Sequence, residues 1–284
     1  MERDDFEAFS FEECYRDSTP VHFHIGFYEV YYFLAGEVIY NIDTLQYRLA
    51  PGDLLLIPPG VMHWPVIDSR MGAYKRRFLW INQQYLASLG GGRADLCACF
   101  DAEKHGYVFH LNGKAMMEFT RLFNMAQDAG AAAYGAELKR RSTLTLLMLL
   151  VNEICLNPQM KKSHAGWQSE EIRRVTEYIN AHIGEENLTL ESVSRRFLIS
   201  GSTLAKSFRR QMGITLHRYV VKRRMNAAHQ LLAEGAPPSQ VYGMVGYSDY
   251  SAFYRAFQNE FGYGPRMAGA QFPPKSAEMF IVSS

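Results

Sequence analysis

The stretch from Leu188 to Pro265 carries one helical pattern twice, and that repetition restricts the chain more than any other feature. Val193-Ser194 aligns with Val241-Tyr242 at an offset of 48. Beyond the turn, Leu204, Lys206, Phe208 and Gly213 align with Phe253, Arg255, Phe257 and Gly262 at an offset of 49, so the second turn is one residue longer. Each copy reads as a short helix, a tight turn, a polar N-cap (Ser200 or Asp249) and a second helix ending at Gly213 or Gly262. Ser and Asp cap because their side-chain oxygens accept from the unpaired N–H groups of the first turn; Gly terminates because it adopts left-handed backbone without a Cβ clash. Two apolar helices joined this tightly, the second basic and exposed, make a helix-turn-helix. Two such units point to a DNA reader.

Helical spacing sorts the faces. In the first unit Ile199, Leu204 and Phe208 pack inward and leave Ser202, Ala205, Lys206, Arg209 and Arg210 outside. The N-terminal part of a recognition helix meets base edges, so Ser202 and Lys206 are the expected base contacts and Arg209 and Arg210 the phosphate contacts. In the second, Phe253, Phe257 and Phe261 face inward, with Tyr250, Ser251, Tyr254 and Arg255 outside, and Arg255 can grip a guanine through two hydrogen bonds. Charge agrees: from Lys161 onward there are 16 Lys/Arg against 10 Asp/Glu, and before it 14 against 19.

Residues 1 to about 110 read instead as short strands broken by Gly and Pro: 28–34, 37–42, 45–49, 53–57, 62–67, 75–81 and 106–111, with Ala35-Gly36 as a hairpin signal and a further turn at Asp68-Ser69. Such a pattern predicts a barrel or sandwich. Helical spacing then runs over Lys114–Gln127 (Met117, Leu122, Met125) and Ala136–Leu156 (Leu138, Leu146, Leu149, Ile154). The second helix is apolar nearly all round at Leu144–Val151, so it needs cover on two sides, and a second copy of the chain would supply it. A polar segment at 157–168 reads as a linker, and a helix from Gln168 or Ser169 to Ile183 buries Ile172, Val175, Tyr178, Ile179 and Ile183. Thr215 caps a long helix, Leu216–Ala233, between the two repeat units; Pro273–Ser284 reads as a tail. At 284 residues and 48% hydrophobic content the chain suffices for two packed cores. The acidic start (Glu2, Asp4, Asp5, Glu7) and the absence of a long apolar run predict a cytoplasmic protein without a membrane partner. Cys14, Cys97, Cys99 and Cys155 lack zinc or disulfide spacing and read as reduced structural thiols.

His22-x-His24, Glu29 and His63 form a second constellation. Histidines at i and i+2 on a strand share a face; Glu29 has the opposite parity and joins them only if the chain turns between, which Gly26 permits. Three imidazoles and a carboxylate suit a divalent transition metal such as Zn, Ni, Mn or Fe(II), and equally the polar groups of a small molecule in a metal-free pocket. Alternation then directs Tyr31 and Phe33 inward with Glu29, and Trp64, Arg76 or Arg77, and Trp80 toward the same space. An aromatic floor with such a cluster would suit a sugar or a small aromatic acid.

The His22, His24, Glu29, Gly36, Gly52, Gly60 and His63 pattern resembles the two motifs of the cupin barrel. Leu188-Thr189-Leu190, Leu204, Phe208, Gly213, Arg224-Met225, Ala228, Leu231-Leu232, Val241, Gly246-Tyr247-Ser248-Asp249, Phe253, Arg255, Phe257, Phe261-Gly262 and Pro265 resemble the AraC/XylS-type DNA-binding domain. Together the two resemblances imply an α+β chain of two domains. Residues 1–156 would be a cupin-like β-barrel with dimerisation helices, 157–168 the linker, 169–272 an all-α double helix-turn-helix domain, and 273–284 the tail. They imply a sequence-specific transcription regulator, an activator in most relatives and not an enzyme. Its partners would be double-stranded DNA with operator half-sites in successive major grooves, a small-molecule effector held by His22, His24, Glu29, Tyr31, His63 and Trp80, a second copy of itself, and RNA polymerase. A metal-dependent cupin enzyme and a constitutive DNA-binding dimer stand as alternatives. Where a small Ala is usual this chain has Ser194 and Tyr242, Leu198 sits where Gly or Asn is favoured, and Gly201 replaces a frequent Pro. The Tyr242 ring must rotate out or push its helices apart, so the second unit is expected to read bases less strictly.

Overall fold

The computed structural model describes residues 5–13, 21–67, 74–127, 134–163 and 169–268. Cys14, the Asp68-Ser69 turn, residues 164–168 of the expected linker and the tail 273–284 lie outside the described residues. The chain forms two compact units, a β-rich one and a helical one, with the main boundary near residue 165 and residues 21–23 and 43–45 grouped with the second.

In the β-rich unit, β1 (Phe6–Glu13), β2 (Phe27–Ala35), β5 (Asp53–Ile57), β7 (Tyr74–Asn82) and β8 (Val108–His110) make a five-stranded sheet in the order β1-β7-β2-β5-β8. A three-stranded sheet has the order β4-β3-β6, from β3 (Val38–Ile42), β4 (Leu45–Arg48) and β6 (His63–Ile67). The strands expected to make a barrel or sandwich thus form two sheets and not a closed barrel, and the expected hairpin at Ala35-Gly36 is absent. There, with Gly36 at φ 127°, the chain leaves one sheet for the other. β2 pairs with β5 and β7, β3 with β6. The reason is the composition of β2, which apart from Glu29 is aromatic or aliphatic on both faces and gains most at the centre of the larger sheet, flanked on both edges.

Strand register assigns the two faces of β2. Val30 opposes Leu79 and Leu56, and Tyr32 opposes Leu54. This face packs on α3 (Gly113–Gln127) and α4 (Ala136–Leu156), in a core that also holds Phe6, Phe119, Phe123, Leu144, Leu147, Met148 and Val151. Each such side chain fully buried contributes about 1.5–3 kcal/mol. Of the four apolar residues that mark the helical spacing of α4, Ile154 is buried, while Leu138, Leu146 and Leu149 are 70%, 51% and 40% exposed. Met117 of α3 is likewise exposed. A helix apolar nearly all round has no preferred side of its own, and the sheet selects the one bearing Leu144, Leu147 and Val151. Helices α1 (Gln83–Leu89) and α2 (Ala102–His105), and strand β1, have no counterpart in the sequence reading.

After α4 the chain folds back on the sheet. Lys161 bridges Phe109, the Lys162 amide donates to the Val108 carbonyl at 2.9 Å, and the Lys162 ammonium donates to the buried Asp53 carboxylate. Asp53 also accepts from the Ala50 amide at 2.7 Å and is hydrogen-bonded to His110 Nδ1 at 2.8 Å.

The helical unit comprises α5 (Glu170–Ala181), α6 (Leu190–Phe197), α7 (Gly201–Met212), α8 (Leu216–Ala233), α9 (Pro238–Met244) and α10 (Tyr250–Phe261). Side chains of Ser169, Thr189, Ser200, Thr215 and Asp249 cap α5, α6, α7, α8 and α10, so five helix starts are encoded locally. Among the described residues no helix is long and apolar enough to cross a membrane.

Candidate functional site

The first helix pair is built from caps and a strained turn. Thr189 and Ser192 satisfy each other's backbone amides as a capping box at the start of α6. Leu198 then adopts φ 56°, ψ 37°, a left-handed conformation that costs a leucine roughly 1–2 kcal/mol, while its side chain is 94% exposed. The Ile199 amide closes the turn on the Ser194 carbonyl at 3.0 Å, and the Ser200 hydroxyl accepts from the Thr203 amide at 3.1 Å. Leu204, Phe208 and Met212 of α7 are buried, Ile199 is half-buried, and Ser202, Lys206, Arg209 and Arg210 stand on the exposed face as the spacing predicts.

In the second pair Asp249 caps α10 through the Ala252 amide at 2.7 Å. Phe253 and Phe257 are buried, Phe261 is half-buried, and Ser251, Tyr254 and Arg255 are exposed. Tyr242 has rotated out: its ring is half-buried and meets Tyr250 edge to face at 5.9 Å. Tyr250 is thereby half-buried, against the expected free contact. The end of the Tyr254 ring lies over Gly264, where an added Cβ would sit 3.1 Å from its hydroxyl.

The second site lies on the other face of the five-stranded sheet. Along β7 and β2, Trp80 opposes Glu29, Phe78 opposes Tyr31 and Arg76 opposes Phe33, so these six share one side; Arg77 points to the opposite side. β1 adds Phe9 and Phe11, opposite Phe78 and Arg76. Phe9 and Phe11 were not foreseen because β1 was not read as a strand; their i, i+2 spacing was the available signal. Phe11 stacks on Phe78 with centroids 5.4 Å apart, and the Arg76 guanidinium lies over the rings of Phe11 and Tyr74 at 5.0 and 4.4 Å. Tyr31 and Tyr74 share a hydrogen bond between hydroxyls at 2.5 Å, and Tyr40 packs on Tyr31. Burial pushes the Tyr31 and Tyr40 hydroxyls well above the usual phenol range, so both remain neutral donors and acceptors.

At one end of this face stands the histidine cluster. The Glu29 carboxylate accepts from His24 Nε2 at 2.6 Å and Trp80 Nε1 at 2.9 Å, with His63 Nε2 at 3.8 Å. Gly26, at φ 77°, supplies the turn that brings Glu29 round to the histidines. Burial raises the Glu29 pKa, but His24 and His63 outweigh it and hold the carboxyl well below its ordinary value. Burial lowers the His24 pKa against the pull of Glu29. The pair is thus an ionised carboxylate accepting a hydrogen bond from the N–H of a neutral imidazole. His22, His24, Glu29 and His63 each offer one ligand atom, all within 4.8 Å of one another. By donor type the set fits a divalent transition metal.

Residues 193–268 match the family described as a helix-turn-helix domain, and residues 9–93 the family described as an AraC-like ligand binding domain. The chain is 34% identical over 249 residues to the uncharacterized HTH-type transcriptional regulator YbfI of Bacillus subtilis, covering 86% of this chain and 84% of that one. It is 26% identical to the arabinose operon regulatory protein of Salmonella typhimurium, covering 82% of this chain and 79% of that one. With the Msm operon regulatory protein of Streptococcus mutans it shares 23% identity over 91% of this chain and 86% of that one.

Proposed function

Since the chain belongs to the AraC family of helix-turn-helix transcription regulators, we propose that it is a cytoplasmic activator that reads its operator through α7 and α10 and answers to a small-molecule effector. The observation that carries the reading is the exposure of Ser202, Lys206 and Arg255 on two capped helices whose opposite faces bury Leu204, Phe208 and Met212, and Phe253 and Phe257. Ser202 and Lys206 contact bases, Arg209 and Arg210 contact phosphates, and Ser251, Tyr254 and Arg255, with the half-buried Tyr250, contact the second half-site. The effector lies on the aromatic face, held by His22, His24, Glu29, Tyr31, His63 and Trp80. A sugar suits it, because ring faces such as Trp80 pack on C–H surfaces while Glu29 and His24 pair with hydroxyls, and one relative regulates an arabinose operon. The exposed leucines of α4 (Leu138, Leu146, Leu149 and Leu156) pair two copies, and RNA polymerase is the downstream partner. These assignments are tested together by a gel shift on the genomic region upstream of the neighbouring operon, with and without a panel of sugars and aromatic acids. No shift under any condition would sink the DNA-binding reading, and shifts indifferent to every compound would favour the constitutive dimer. Light scattering at micromolar concentration tests pairing, and a monomer refutes it.

A second reading rests on the four clustered ligand atoms. When bound there, a divalent metal would give the effector a Lewis-acidic anchor. Elemental analysis of protein purified without an affinity tag decides it, and under about 0.2 equivalents of any transition metal rejects the metal. That the relatives are regulators weighs against a cupin enzyme.

A further inference from the structure

Two recognition helices joined only by α8 would hang on a lever of 18 residues, roughly 27 Å long. The helical unit has a second connection. Arg224, near the middle of α8, donates from Nε to the Ile183 carbonyl at 3.2 Å and from Nη2 to the Glu185 carbonyl at 2.6 Å. These carbonyls belong to the corner between α5 and α6, which begins the first helix-turn-helix. The same guanidinium lies 5.4 Å from the centroid of Tyr247, in the turn between α9 and α10 of the second.

The two corners also touch directly. A Cβ at Gly184 would sit 2.7 Å from the Met244 carbonyl oxygen. One at Gly246 would sit 2.6 Å from Arg224 Nη2 and 2.9 Å from the Ile183 carbonyl oxygen, and Gly246 is at φ 79°. Neither position admits a side chain, and Gly246 has the backbone that favours glycine. Tyr247 in turn packs edge to face on the buried Phe253 of α10, at 5.8 Å. A continuous path of contacts therefore runs from the start of the first unit through Arg224 to the recognition helix of the second.

We propose that Arg224 is a positioning residue: with Gly184 and Gly246 it braces the two helix-turn-helix units at a fixed separation and angle, and so sets the half-site spacing the protein accepts. The inference rests on the DNA-binding reading above. One base pair inserted between half-sites moves the second by about 3.4 Å and rotates it by about 35°. A braced reader cannot follow that step, whereas an unbraced one can bend at α8. Lysine keeps the charge but presents a point donor in place of a fork across two carbonyls.

The test uses the full chain and the duplex it enriches from a random-sequence library. Affinity is measured for that duplex and for versions with one base pair added or removed between the two protected segments, using wild type, Arg224→Ala and Arg224→Lys, with helix content checked by circular dichroism. Wild type should lose at least tenfold on respacing and Arg224→Ala threefold or less, with Arg224→Lys between them. A loss of helix alone would weaken all duplexes alike and leave the ratio unchanged. If Arg224→Ala does not fold, Arg224→Lys decides by its ratio. A variant that folds and keeps the wild-type respacing penalty overturns the brace alone, as does a wild type indifferent to spacing. A wild type that enriches no duplex overturns the DNA-binding reading and the brace with it.

Discussion

Tyr242 and Tyr250 meet edge to face at 5.9 Å, with an interplanar angle of 83°. The bulky residue in the first helix of the second unit therefore braces the recognition helix in place of wedging the pair open. Tyr242→Ala should destabilise the protein by about 1 kcal/mol, the worth of an aromatic pair beyond its buried area. Urea unfolding followed by circular dichroism measures it. A more stable Tyr242→Ala protein would mean that the ring strains the helices.

Leu198 holds a left-handed backbone with its side chain almost wholly in solvent. Asparagine tolerates that conformation and no packing is lost, so Leu198→Asn should raise stability by about 0.5–1 kcal/mol. A lower denaturation midpoint would show that the leucine makes a contact in the native protein.

Arg255 and Arg209 should fail differently. Arg255→Ala should lose about 1–3 kcal/mol and relax preference at one base pair, whereas Arg209→Ala should weaken all sequences alike and reduce the salt slope by about one. Titrations on single-base variants at two salt concentrations separate the two. Mismatches of equal penalty in both half-sites would also rule out a less strict second unit.

His229 of α8 is buried and hydrogen-bonded to the Tyr263 hydroxyl at 3.1 Å; burial lowers its pKa from 6.5 to about 4. The unfolded chain takes up the proton first, so this group opposes folding increasingly as pH falls from 6.5 toward 4, and has no effect above that window. Its full contribution is on the order of 3 kcal/mol. The urea midpoint should fall between pH 7 and 4.5, less steeply in His229→Gln. Identical slopes in the two proteins would assign the acid sensitivity elsewhere.

The helical unit was legible in the sequence because its signals are local. A hydroxyl or carboxylate that caps α7, α8 or α10 bonds to an amide three residues on, and Gly213 and Gly262 end their helices by their own backbone freedom. The left-handed backbone of Leu198 was expected from the family resemblance, which favours Gly or Asn at that turn position. The histidine cluster was partly legible: His22 and His24 do converge with Glu29, whose turn toward them passes Gly26, although both histidines precede β2 and so do not owe their common side to strand alternation.

What the sequence by itself determined, then, was where the capped helices α7, α8 and α10 begin and end, which face of α7 and of α10 is apolar, and that His22, His24, Glu29 and His63 could converge. Only the tertiary structure decided that β2 and β3 part into separate sheets, that α4 buries Leu144 and Leu147 and exposes Leu146 and Leu149, and that Phe9 and Phe11 lie opposite Phe78 and Arg76 on the aromatic face. Only it placed Arg224 against a corner some 40 residues away. The physical reason is the same in each case. A cap or a turn is settled by atoms a few residues apart, whereas a strand partner, the buried side of an all-apolar helix or the carbonyl that an arginine reaches is settled by competition among surfaces remote in the chain.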